Sequence, residues 1–176
     1  MEIPRIDVQP TPATHRANPP RDALQTLSGG GSVTVTLETK AGDVGTGTVS
    51  FGRVSGAAKA LAVFIEEVLV PIVIGGNLHA IRALHRAMLR ETEYHGSVGF
   101  ASFGIAAIDT ALWDCLGRSL GVPCRRPWGC VHDRIPAYAM VGWMNHSDEE
   151  VAEVCRQAVE QGFRADRKST RLNSRQ

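Results

Sequence analysis

From Ser32 to Thr39 the chain alternates, with Val33, Val35 and Leu37 on one face and Thr34, Thr36 and Glu38 on the other. A period of two is the pattern of a half-buried strand. Ile3, Ile6 and Val8 predict a strand before it, ended by Pro10 and Pro12. Val44 to Phe51 predicts a returning strand, entered through the turn Ala41-Gly42-Asp43. Three strands in succession imply an antiparallel meander whose open face needs a cover. Helical spacing supplies one. Gly56 to Leu69 carries apolar residues at Leu61, Phe64, Ile65, Val68 and Leu69, and Pro71 is the expected stop. Asn77 suits the N-cap of a next helix that buries Ile81, Leu84, Met88 and Leu89 and turns Arg82, Arg86 and Arg90 to water.

The stretch Gly99 to Gly129, GFASFGIAAIDTALWDCLGRSLGVPCRRPWG, predicts a long buried helix from about Phe100 to Leu120. Gly104, Ala106, Ala107, Thr110 and Ala111 let neighbours approach it closely, while Gly121 and Pro123 stop it. Asp109 and Asp114 lie inside this stretch. Five helical positions separate them by about 140°, so they are not an acid/base pair, and each needs a partner within the protein. Downstream, Ile135 to Met140 reads as a short strand. Ser147 with Glu150 forms a capping box for a helix through Val151, Val154, Cys155, Ala158 and Val159. Gly162 closes that helix, and Phe163-Arg164-Ala165 opens another strand. The order is an α+β unit followed by the start of an α/β repeat.

Composition narrows the function classes. The formal net charge is +1 over 176 residues. Arg167, Lys168, Arg171 and Arg175 against Asp166 concentrate three positive charges at the end, leaving −2 elsewhere. Nucleic-acid binding therefore has no electrostatic footprint. The apolar window Ala57 to Gly76 is interrupted by Lys59, Glu66, Glu67 and Pro71, so it predicts no bilayer span. MEIPRIDVQP is not a signal peptide. Cys115, Cys124, Cys130 and Cys155 form no CxxC pair, as expected of reduced thiols in a cytoplasmic protein. Cys124, Cys130 and His132 lack the spacing of a zinc corner, and His79 and His85 lack that of a helical metal pair. GFASFG at Gly99 lacks a nucleophile elbow's spacing, and Gly45-Thr46-Gly47 lacks the third glycine of a dinucleotide loop.

AIDTALWDCLGRSLGVP at Ala107 to Pro123 closely resembles the motif of the mandelate racemase and muconate-lactonizing group of the enolase superfamily. LVPIVIGGN at Leu69 to Asn77 and VHDRIPAYA at Val131 to Ala139 extend the resemblance, which covers residues 1–165. One departure is Arg126-Pro127-Trp128-Gly129, where the family usually has a Leu-Leu-Gly-Gly type turn. The resemblance implies an α+β capping domain at residues 1–133 and, at 134–165, the first βα unit of an incomplete (β/α)8 barrel. It implies proton abstraction α to a carboxylate, with Mg²⁺ stabilising the enediolate and a lysine or histidine as base. The ligands and bases of the family lie on later barrel strands. This chain is thus expected to hold no catalytic residue and no metal ligand, and to be inactive alone. Lys168 stands only loosely where a base would fall.

The segment 166–176, DRKSTRLNSRQ, reads either as a basic tail or as a foreign ending resembling translated sequencing-adapter read-through. What the resemblance leaves to this chain is substrate binding. The loop Thr11 to Gly31 and the turn Ser50 to Gly56 would overhang the barrel mouth. His15, Arg16 and Arg21 would face a carboxylate or hydroxyls, Phe51 and Arg53 the opposite wall, and Trp143 would reach in from the first barrel strand. Asp109 and Asp114 would bond to backbone or arginine across the cap–barrel interface. A polar, arginine-bearing loop favours an acid-sugar (aldonate or aldarate) dehydratase as the parent enzyme, a cytoplasmic homo-oligomer. A racemase or cycloisomerase parent, or a free-standing non-catalytic cap, remains open.

Overall fold

The computed structural model describes residues 1–13, 17–22, 24, 26–27, 29–50, 56–96 and 98–165. The chain forms two compact units, Met1–Thr14 with Gly29–Cys130, and His15–Ser28 with Val131–Gln176. The segment 166–176, Lys168 included, lies outside the described residues.

In the first unit, β1 (Arg5–Pro12), β2 (Gly31–Glu38) and β3 (Val44–Ser50) form an antiparallel sheet in the order β1-β2-β3. Val8 pairs with Val35, and Val33 with Val49. Val33, Val35 and Leu37 are fully buried, as their alternation predicts. The turn into β3 is tied at both ends. The Thr39 amide donates to the Asp43 carbonyl at 2.9 Å, and the Asp43 amide donates to Thr39 Oγ1 at 3.1 Å. One expectation fails in part. β1 ends at Pro12 but runs through Pro10, because β1 is an edge strand and a missing N–H on its outer side interrupts no ladder.

Helices cover one face of this sheet. The first runs as α1 (Ala57–Phe64), a π-helical turn (Ile65–Leu69) and α2 (Val70–Val73). Pro71 was the expected stop, yet the helix continues to Val73. The wide turn, in which the Val70 amide reaches the Ile65 carbonyl, accommodates a ring that would otherwise clash with the preceding turn. Asn77 caps as expected, accepting from the His79 amide at 3.1 Å, and a single 3₁₀ turn (Leu78–Ala80) leads into α3 (Ile81–Thr92). Ile81 and Met88 are buried, but Leu84 is half-buried and Leu89 is exposed, so the covered face of α3 is narrower than its pattern suggests.

Helix α4 (Phe100–Ser119) is the centre of the unit. A Cβ at Gly45 would overlap the Ala111 carbonyl and Cys115, and one at Gly47 would overlap the Ala107 carbonyl. Backbone therefore lies on backbone, which only the glycines of β3 and the small residues of α4 permit. The Gly45-x-Gly47 pair is a packing device. α4 has the length and apolarity of a membrane span, and that apolarity is used inside the domain: Ala107, Ile108, Ala111, Leu112 and Cys115 are fully buried. It ends in a Schellman motif, with Gly121 at φ 63°, its amide donating to Arg118 and the Val122 amide donating to Gly117.

In the second unit, α5 (Asp148–Glu160) opens with the predicted capping box between Ser147 and Glu150. It closes on Gly162 (φ 91°) with the same pair of hydrogen bonds seen at Gly121. The expected strand Ile135–Met140 makes no ladder among the described residues. Among the described residues, Ala139 N–H donates to the Ala165 carbonyl at 3.0 Å.

Candidate functional site

Two clusters of chemistry-bearing side chains stand out, one in each unit. In the second unit, Pro19 and Pro20 stiffen the entry to the loop, and Arg21 pairs with Thr26 in an isolated bridge. The Leu27 amide donates to the Pro20 carbonyl at 2.8 Å, and Asp22 Oδ1 accepts from the Leu24 amide at 2.8 Å in an Asx turn. The described residues of this loop are fastened to the turn that leads into α5. The Met144 amide donates to the Arg21 carbonyl at 2.8 Å. Asn18 Nδ2 donates to the Asn145 carbonyl at 3.2 Å, and Asn145 Nδ2 donates back to the Asn18 carbonyl at 3.3 Å. Gly142, buried at φ 81°, begins the turn, and the His146 amide closes it onto the Trp143 carbonyl at 3.1 Å.

Arg21 and Trp143 therefore belong to one element, joined through backbone. Arg21 is exposed and Trp143 half-buried. Asn145 Oδ1 and His146 Nδ1 are buried with no hydrogen-bond partner among the described residues. His15, Arg16, Phe51 and Arg53 lie outside the described residues.

In the first unit, the two aspartates of α4 have separate partners. Asp114 Oδ2 accepts from the Thr46 amide of β3 at 3.0 Å and from Arg118 Nε at 2.8 Å. It satisfies an outward N–H of an edge strand, which the expected backbone or arginine partner anticipated in kind. Those partners lie within the first unit, however, and not across an interface to a barrel. Asp109 Oδ1 instead meets His85 Nδ1 of α3 at 3.0 Å. Around this pair is a cleft of about 280 Å³ lined by Arg82, His85, Asp109, Trp113 and Trp128. The Arg82 guanidinium lies 5.8 Å from the centre of the Trp113 ring. The Trp113 and Trp128 rings meet edge-on at 5.7 Å and 79°.

The nucleophilic candidates are quiet. Cys115 is fully buried, its thiol turned to the Asp43 carbonyl. Burial pushes its pKa up to about 11, and the nearby Asp43 and Asp114 charges push the same way. Such a thiol is not a nucleophile at neutral pH. Cys124 Sγ donates to the Trp113 carbonyl at 3.4 Å.

Residues 5–126 match the family model of the mandelate racemase/muconate lactonizing enzyme N-terminal domain. The chain belongs to this family. Among curated members, it is 38% identical over 120 residues to a D-galactonate dehydratase of Verminephrobacter eiseniae, covering 66% of this chain and 30% of that protein. It is 30% identical over 117 residues to an arabinonate dehydratase of Saccharolobus solfataricus, covering 66% of this chain and 31% of that one. The chain thus spans about a third of the length of these relatives. Its fold is that of the L-talarate/galactarate dehydratase of Salmonella typhimurium, solved with Mg and L-lyxarohydroxamate. That match has a TM-score of 0.83 at 20% identity, over 95% of this chain and 44% of that one. A racemase from Streptomyces coelicolor with bound magnesium superposes with a TM-score of 0.79 at 21% identity, over 93% and 45%.

Within the family frame, sequence reasoning missed Asn18, Asn145 and His146, and it missed the pairing of His85 with Asp109. Asn18 stands before Pro19-Pro20 and Asn145-His146 before the Ser147 cap, so each was legible only as turn punctuation. Their meeting joins positions 127 apart.

Proposed function

We propose that residues 1–133 are the substrate-covering cap, and 134–165 the first barrel unit, of a cytoplasmic, homo-oligomeric acid-sugar dehydratase that requires Mg²⁺. The observation that carries this reading is that D-galactonate, arabinonate and D-mannonate dehydratases are all similar to this chain at 30–38% identity. The reaction removes the proton α to the carboxylate and expels the β-hydroxyl as water. The resulting enol tautomerises, its C2 hydroxyl losing a proton as C3 gains one, to give a 2-keto-3-deoxy acid.

Magnesium, when bound in such an enzyme, offsets the negative charge that builds on the carboxylate. Among the described residues no three His, Cys, Asp or Glu side chains converge, so they do not fit the ion, which needs several oxygen ligands. No step assigned to this chain runs through it. This chain's share is binding. Arg21, held through its carbonyl by the Met144 amide, offers a fork of donors to a carboxylate or hydroxyl. Trp143 forms part of the wall, and His15, Arg16, Phe51 and Arg53 complete the set proposed from the sequence.

The test is turnover. The 176-residue chain alone should release no 2-keto-3-deoxy acid from D-galactonate, D-arabinonate or D-mannonate with Mg²⁺ present. A continuous reading frame of the relatives' length should release it. In that protein Arg21→Ala should lower kcat/KM about 10–100-fold, the loss of one charge-assisted contact. EDTA-sensitive turnover by the 176-residue chain would refute the division of labour, and racemisation without loss of water would replace dehydratase with racemase.

A further inference from the structure

We infer that the cleft between α3, α4 and the 123–130 turn is a second binding site, built for the ring of a neutral monosaccharide. Trp128 is 60% exposed beside the half-buried Trp113. The Arg126-Pro127-Trp128-Gly129 turn presents it. Consecutive bonds hold that turn: Trp128 N–H to the Cys124 carbonyl at 3.3 Å, Gly129 N–H to Arg126 at 3.0 Å, and Cys130 N–H to Arg125 at 2.9 Å. The exposed indole is thus presented on a fixed backbone, with the Trp113 ring edge-on beside it. It offers an apolar platform to a flat partner.

The polar lining defines the partner's chemistry. Arg82 can only donate hydrogen bonds, and the Asp109 carboxylate can only accept them. His85 Nδ1 lies 3.0 Å from the carboxylate, and the ring's other nitrogen adds a further hydrogen-bonding group to the lining. Donors and acceptors therefore line one small space above an indole. Hydroxyl groups both donate and accept, and a sugar ring carries them around an apolar C–H face that suits an indole. Charge decides against the alternatives. A carboxylate or phosphate reaching Arg82 would also face Asp109, while a cation drawn to Asp109 would face Arg82. The volume, about 280 Å³, lies just below the range of sites for drug-sized ligands, so it suits a single ring.

The experiment follows the three indole N–H signals in a ¹⁵N-labelled preparation of the full chain, titrated with D-galactose and separately with D-galactonate. D-galactose should shift the Trp113 and Trp128 signals saturably and leave Trp143 unmoved. Trp128→Ala should weaken binding at least about tenfold, as for a central aromatic contact. Asp109→Asn, which keeps the side chain's size, should weaken it about tenfold through one charge-assisted hydrogen bond. Retention of the α4 amide pattern shows that each variant is folded. The inference is overturned if galactose leaves both cleft indoles unmoved, shifts Trp143 in their place, or binds the variants as well as the parent. Tighter binding of galactonate than of galactose to the cleft also overturns it. None of these readouts depends on turnover, so this site and the proposed dehydratase role fail or stand separately.

Discussion

Helices α4 and α5 end on the same device, a glycine at positive φ with paired hydrogen bonds closing the last turn, at Gly121 and Gly162. Yet α4 buries ten of its residues and α5 none. In α5, Val151, Val154 and Ala158 are half-buried, and Val159 is 69% exposed. The stronger local start belongs to α5, whose capping box has no counterpart in α4, where no side chain caps the N-terminus. Local signals thus specify where a helix begins and ends, while packing determines how firmly it is held. The first unit should unfold as one cooperative body. α5 should open locally with little resistance.

The largest blow to this contrast should come from Gly47→Val. Its Cβ would overlap the Ala107 carbonyl and lie 2.8 Å from the Ala111 amide, so α4 must lift from β3. Backbone cannot yield as a side-chain tip does. A loss of about 3 kcal/mol or more is expected for the first unit, read as a lower urea midpoint. Amide exchange in α5 should not change. Wild-type stability in this variant would show that the close approach of helix and strand is not what holds the unit together.

Alkaline pH should separate the units more gently. Cys115 has a pKa of about 11 in the folded unit, against 9.0 for an unperturbed cysteine thiol. Between these values the unfolded chain has lost the thiol proton and the folded unit has kept it. The folded state binds more protons there, so stability falls as pH rises from about 9 to about 11. The expected loss is on the order of 2–3 kcal/mol. Urea unfolding at pH 8 and pH 10.5 measures it, with Cys115→Ala as the control that should flatten this part of the slope. An equal slope in the variant would assign the alkaline loss to other groups.

The parts of the fold that were legible in sequence are those with a local cause. Alternation placed Val33, Val35 and Leu37 in the core, and Asn77, Gly121, Ser147 and Gly162 marked the helix ends, because turns and caps are made by neighbours in the chain. What escaped depends on neighbours in space. Pro10 and Pro12 are tolerated because β1 is an edge, and no periodicity within β1 reveals that. The π-helical turn that carries the first helix past Pro71 has no signature in residue spacing, and its Ile65 and Leu69 are both fully buried. Residues 135–140 carry strand residues, but a strand is a relation between two segments. Of the candidate site, Arg21 and Trp143 were proposed from residue type and from the family resemblance. The Asn18–Asn145 exchange that joins their segments was not, since neither asparagine carries a pattern beyond its own turn.

The smallest expected effect tests the weaker region directly. Ser147 accepts from the Glu150 amide at 3.2 Å, and Glu150 Oε2 accepts from the Ser147 amide at 2.7 Å. Ser147→Ala removes the first bond and leaves the second, at a cost of about 1 kcal/mol. In a helix with a well-packed face such a loss is absorbed within a larger total. In α5, which buries no residue, it should appear almost undiluted as a roughly fivefold faster exchange of the amides at 151–160, the factor that 1 kcal/mol represents. Ser147→Asp, which restores an acceptor at the cap, should return exchange close to the parent rate. The urea midpoint of the first unit should stay fixed in both variants. A shift there would mean that the stability of α4 and its sheet depends on this cap, and the two units would then have to be treated as one cooperative body.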